Sequence, residues 1–86
     1  MPELSRFYGI IILLRFREHA PPHFHVKYQE HKASINIATL ETTAGWLPTR
    51  ARALVLEWAS EHREELAAAW DEVQSGQTPA RIAPLH

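Results

Sequence analysis

Eighty-six residues are enough for one domain and too few for two, and the absence of cysteine excludes disulfides, thiolate metal sites and cysteine nucleophiles together. A net charge of −1 with neutral histidines gives no global pull toward nucleic acid or membrane. The charge is skewed, though: five bases meet three acids in residues 1–36, and four bases meet seven acids in residues 37–86.

In chain order, Tyr8 to Arg17 opens on the apolar run Ile10-Ile-Ile-Leu-Leu14, which reads as a buried strand over about 8–17. The run is too short for a signal core or a membrane span, so the expected location is cytoplasmic. Ala20-Pro21-Pro22 breaks the strand, because proline fixes φ and donates no hydrogen bond; either bond can be cis. A second strand follows over about 23–29. Phe24, Val26 and Tyr28 share one face and His23, His25 and Lys27 the other. Gln29 to Lys32 is a polar turn. A third strand covers about 32–39, with Ala33, Ile35 and Ile37 inward, and 42–47 is a looser fourth candidate.

Pro48 or Thr49 then opens a helix, where a proline N–H is not needed. Leu54, Val55, Trp58, Ala59, His62, Leu66, Ala69, Trp70 and Val73 recur in steps of three and four, an apolar stripe over about 49–75 with room for a kink near Ser60. Gly76 ends it, and 77–86 is an extended tail in which Ile82 and Leu85 can tuck onto the body. The expected fold is α+β: three or four antiparallel strands covered on one face by one long C-terminal helix, as a single domain over 1–86. The other sheet face, carrying histidine and lysine, is left to water, ligand or partner.

The chemistry concentrates in His19-Ala-Pro-Pro-His23-Phe-His25. An H-x-H pair on a strand sets two imidazoles on one face with Cα atoms about 6.5–7 Å apart, a spacing that suits chelation of one divalent metal such as zinc. His23 and His25 would be joined by His19 or His62 as a third ligand. No carboxylate stands at a recognised motif spacing, so the plainer expectation is no cofactor and hydrogen-bonded structural histidines. The same residues suit proton transfer near neutral pH. Cleavage of RNA without metal needs a base, an acid and cations for the phosphate, and His23, His25, Arg15 and Arg17 are the candidate catalytic set. Lys27 and Tyr28 add the same chemical types on opposite parities.

His62 lies on the apolar stripe and reads most simply as a core-edge histidine; its distance from the strand histidines is not legible. Trp46, off the helix and beside Gly45, is a candidate partner surface. The acids from Glu57 to Asp71 read as a solvated helix face. Glycine-rich phosphate loops, G-x-S-x-G, H-E-x-x-H and dinucleotide fingerprints are absent, and a single helix offers no helix-turn-helix, so direct DNA binding is not expected.

Several blocks together resemble a small bacterial family catalogued as domain of unknown function 4160. They are Met1-Pro-Glu-Leu-Ser-Arg-Phe-Tyr-Gly-Ile10, His19-Ala-Pro-Pro-His-Phe-His-Val26, Leu47-Pro48, Leu54-Val-Leu-Glu-Trp58 and His62-Arg-Glu-Glu-Leu66. Ala20 stands where relatives often carry an acid or asparagine, so no role can rest on a side chain there. The resemblance implies a context more than an activity. Such genes often lie beside one of another family, domain of unknown function 2442, in pairs that look like toxin–antitoxin modules with this type of chain as the toxin. The expectation is a toxin-like component, held by a small cognate antitoxin-like partner and acting on RNA through the histidine-rich strand. The alternatives are a non-enzymatic protein-binding module, as a homo-oligomer or with a partner, and a small histidine-ligated metal protein.

Overall fold

The computed structural model describes residues 2–86. The fold is α+β, with a five-stranded antiparallel sheet in the order β1 (Glu3–Phe7), β2 (Ile10–Leu13), β3 (His23–Tyr28), β4 (His31–Asn36), β5 (Thr42–Gly45), followed by α1 (Thr49–Glu61) and α2 (Arg63–Gln74). No helix among the described residues is long and apolar enough to cross a membrane.

The expected strand over 8–17 is corrected at both ends. Tyr8 and Gly9 have φ of 50° and 79°, and Phe7 pairs with Ile10, so two left-handed residues close a hairpin between β1 and β2. Glu3–Phe7 is therefore a strand that the sequence reading missed, and β2 stops at Leu13. The polar turn expected over Gln29 to Lys32 is Gln29 and Glu30 alone: Gln29 takes φ of 54°, Tyr28 pairs with His31, and His31 and Lys32 already belong to β4. The third expected strand, 32–39, ends at Asn36 instead. Its side-chain Oδ1 accepts hydrogen bonds from the Ala38 and Thr39 N–H groups at 2.8 and 2.9 Å, an Asx turn that takes both donors out of the ladder after the Ile37 N–H has reached the Pro22 carbonyl at 3.0 Å. The looser fourth candidate is a real strand, but it ends at Gly45 rather than 47.

The one long helix is two. His62 leaves helical geometry at φ −124°, ψ 25°, and its N–H turns back to the Ala59 carbonyl at 3.1 Å. A straight helix over 49–75 would run about 40 Å; with the break, the longest dimension of the molecule is 33 Å. Breaking near the expected kink keeps both halves over the sheet, so that Ala51, Val55, Trp58 and Ala59 of α1 and Leu66, Ala69, Trp70 and Val73 of α2 all reach the core.

That core is one sheet face plus the helical stripe. Phe24, Val26, Ile12, Ile35 and Ala33 are buried under Trp58, whose ring meets Phe7 and Phe24 at centroid distances of 5.5 and 6.2 Å. The tail is tied down as well. Trp58 Nε1–H donates to the Ala83 carbonyl at 2.8 Å, the Ile82 N–H donates to the Leu4 carbonyl at 2.8 Å, and Ile82 is buried.

Arg81 adds an ion pair to Glu3 at 3.0 Å, beside the Arg6–Glu3 pair at 2.8 Å. The Arg6 hydrogen bond outweighs the burial that acts against it and, with Arg81, holds the Glu3 carboxyl below its ordinary value. A carboxyl depressed in the folded state stabilises the fold above its unfolded pKa, and that contribution is lost as pH falls through the folded pKa. Thermal unfolding should therefore separate the wild type from Glu3→Gln at neutral pH and low salt, by a small margin that closes as the carboxylate range is crossed downward. Identical midpoints at neutral pH would show that this link holds nothing.

Candidate functional site

Side chains alternate along a strand, so the pairing that buries Phe24 against Ile35 and Val26 against Ala33 turns their neighbours to the opposite face. There Leu13, His25, Ser34 and Ala44 form one row across four strands, and Ile11, Lys27 and Lys32 form the next. Lys27 stands directly opposite Lys32. Like charges placed so cost stability, and among the described residues neither lysine forms an ion pair, nor does Arg15. Arg15, His25, Lys27, Lys32 and Ser34 line one groove of about 210 Å³. Its walls are cationic and polar over an apolar floor from Leu13 and Ala44, a surface suited to an anion.

At the end of the groove the residues 14–22 bend back over the start of β3. Arg17 takes φ of 61° and the Ala20–Pro21 bond is cis. The Glu18 carbonyl accepts a hydrogen bond from Gln74 Nε2 of α2 at 2.9 Å, and its carboxylate lies against both strand histidines. His25 Nε2–H donates to Glu18 Oε1, while the Ser34 hydroxyl lies 3.2 Å from His25 Nδ1. His23 Nδ1–H donates to the Pro21 carbonyl at 2.9 Å, and His23 Nε2 stands 3.4 Å from Glu18 Oε2. The two imidazoles meet edge to face at 5.1 Å, and the His23 ring lies 5.3 Å from Trp70. Burial works to raise the pKa of Glu18. The hydrogen bond from His25 and the charges of His25 and His23 overcome it, so the carboxyl titrates below its ordinary value.

Among the described residues Glu18, His23 and His25 are the one group of three whose ligand atoms, all within 4.8 Å of one another, could hold a metal ion. Glu18 was not singled out in the sequence. It precedes His23 by five positions and His25 by seven, no named spacing, and only the fold of an irregular segment brings it in. An acid close to an H-x-H pair was the available signal. The other candidates separate. Arg15 lines the groove; Arg17 is exposed in the turn and does not. His19 is exposed on a neighbouring depression shared with His23 and is not one of the three. His62 sits at the helix junction, its ring 5.4 Å from Trp58 and its Nδ1–H donating to Glu65 Oε1 at 2.6 Å, a core-edge histidine outside the cluster. Trp46 is 62% exposed, with its ring 5.0 Å from His31.

Comparison with known proteins gives one family match. The model of a family described as Domain of unknown function (DUF4160) matches residues 9–71, a span that contains the whole cluster and the cationic groove. No curated protein and no solved structure matches the chain.

The groove depends on β5 lying close against β4. Gly45 has φ of 75°, and a Cβ there would fall 2.1 Å from the Lys32 carbonyl oxygen and 2.8 Å from Ala33 Cα. Gly45→Ala should therefore cost about 2 kcal/mol or more in urea unfolding. Gly76→Ala, which would meet nothing within 4 Å, serves as the control and should cost clearly less. Equal costs would mean that the close approach of β5 is not maintained in solution.

Proposed function

The chain belongs to the family described as domain of unknown function 4160, and from that premise we propose that it is the toxin-like component of a bacterial two-gene module, acting on RNA in the cytoplasm and held in check by a small cognate partner. The observation that carries this reading is the Lys27–Lys32 pair. Lys27 and Lys32 stand opposite each other across β3 and β4 with Arg15 in the same groove, and among the described residues none of the three forms an ion pair with an acid; the groove also presents His25. A phosphodiester relieves that repulsion. The Glu18–His23–His25 cluster at the end of the groove is then the reactive centre: imidazoles able to give and take protons, oriented by a carboxylate, a hydroxyl and a main-chain carbonyl. In a metal-free cleavage, a base takes the proton of the 2′-hydroxyl as its oxygen bonds to phosphorus. An acid then gives a proton to the departing 5′-oxygen. The same three side chains also favour the metal-binding reading, with Glu18 taking the place that sequence reasoning offered to His19 or His62.

Tightly controlled induction in a bacterial host tests the proposal. The wild type should arrest growth with loss of intact RNA. His25→Ala and the double variant Lys27→Ala/Lys32→Ala, checked for native circular dichroism, should do neither. A wild type that leaves growth and RNA untouched would reject the toxin reading in favour of a non-enzymatic module that binds its partner without turnover.

A further inference from the structure

One ring nitrogen of His23 is already committed. The Pro21 carbonyl 2.9 Å from Nδ1 can only accept, so Nδ1 carries the hydrogen and a neutral ring keeps its lone pair on Nε2. That lone pair stands 3.4 Å from Glu18 Oε2, where two acceptors repel unless a positive centre lies between them. His25 differs, because its Nε2–H donates to the other carboxylate oxygen. A cation there would move the hydrogen to Nδ1, where Ser34 Oγ, 3.2 Å away, can accept it. Metal-bonding histidines show this support, the outer N–H held by a carbonyl or other oxygen that fixes the tautomer. For the His23–Glu18 pair size agrees as well. A cation about 2.0–2.2 Å from each donor spans tetrahedral ligand atoms about 3.3–3.5 Å apart, the separation found between His23 Nε2 and Glu18 Oε2.

We propose that Glu18, His23 and His25 form a binding site for one divalent cation of the zinc type, through the carboxylate and the two Nε2 atoms. Two imidazoles with one carboxylate suit zinc and its transition-metal neighbours, whereas magnesium and calcium call for oxygen donors. Three protein ligands leave a coordination position for water or a phosphate oxygen. The side chains of His25, His23 and Glu18 are 12%, 17% and 23% exposed, so solvent and ligand can reach it. Because His25 also lines the groove, the cation would sit at the end of the Arg15–Lys27–Lys32 surface and add positive charge against the same anion. With both Nε2 atoms on a cation and the Nδ1 atoms held by Pro21 and Ser34, the imidazoles would not transfer protons, so the cation would replace metal-free chemistry at the proposed reactive centre. The inference rests on that reading only for its role, since metal uptake is measured without RNA.

Protein prepared without a histidine tag and stripped with chelator is titrated with Co²⁺ by visible absorption, then with Zn²⁺ in competition. One equivalent of Co²⁺ per chain should bind with d–d bands, and Zn²⁺ should displace it. Glu18→Gln and His25→Ala should weaken binding at least about 10-fold, while His19→Ala and His62→Ala leave it unchanged. Glu18→Gln preserves shape, so an unfolded histidine variant does not decide the matter. A folded wild type that takes up neither ion, or a folded Glu18→Gln that binds as the wild type does, overturns the site. Full metal binding beside normal growth on induction would keep the site and discard only the action on RNA.

Discussion

Phe24 faces Ile35 and Val26 faces Ala33 across β3 and β4, and this apolar pairing holds the centre of the sheet in register. A slip of one residue would turn these side chains to solvent and bring His25, Lys27, Lys32 and Ser34 into the core. The helices act on the same register from outside, because Trp58 packs on Phe24 and Phe7. The groove is thus a by-product of core packing. Wherever the inner face is satisfied, the outer face must carry His25 beside Ser34 and Lys27 opposite Lys32.

The second contribution comes from the opposite end of the chain. Gln74, in the last turn of α2, holds the Glu18 carbonyl, and Trp70 one turn earlier lies against His23. These contacts depend on the break at His62, since only a redirected second helix brings Trp70 and Gln74 to the start of β3. Site and helix geometry are therefore linked: α2 covers the core with Leu66, Ala69 and Val73, and its far end positions the segment that delivers the carboxylate.

Much of this was legible in the residues. Period-two alternation placed Phe24, Val26, Ala33 and Ile35 inward and His23, His25 and Lys27 outward, and steps of three and four gave the helical stripe. The failures came where local chemistry leaves a weak mark. Tyr8-Gly9 is a turn although the first residue is aromatic, so apolar character was read through it and β1 was missed. The helix break carries neither proline nor glycine, so the sequence offered no more than a kink near Ser60 and not two separate helices. Glu18 reaches the histidines through irregular backbone with a left-handed Arg17, and no periodicity describes such a segment. Of the proposed ligands, the strand pair was legible and the carboxylate was not. His62 was offered as a candidate third ligand, while its place on the apolar stripe read most simply as a core edge, and the structure leaves it there, on Trp58 and Glu65.

The account rests on Glu18, His23 and His25 converging on one point, with their outer nitrogens held by Pro21 and Ser34. Long-range ¹H–¹⁵N correlation of the histidine rings, with ring-to-ring nuclear Overhauser effects in metal-free protein, tests this most directly. The account predicts a protonated Nδ1 on His23 and contacts from its ring to both His25 and Trp70, with Trp58 in contact with His62 instead. A His23 ring protonated only at Nε2, or free of contact with His25 and Trp70, would contradict it.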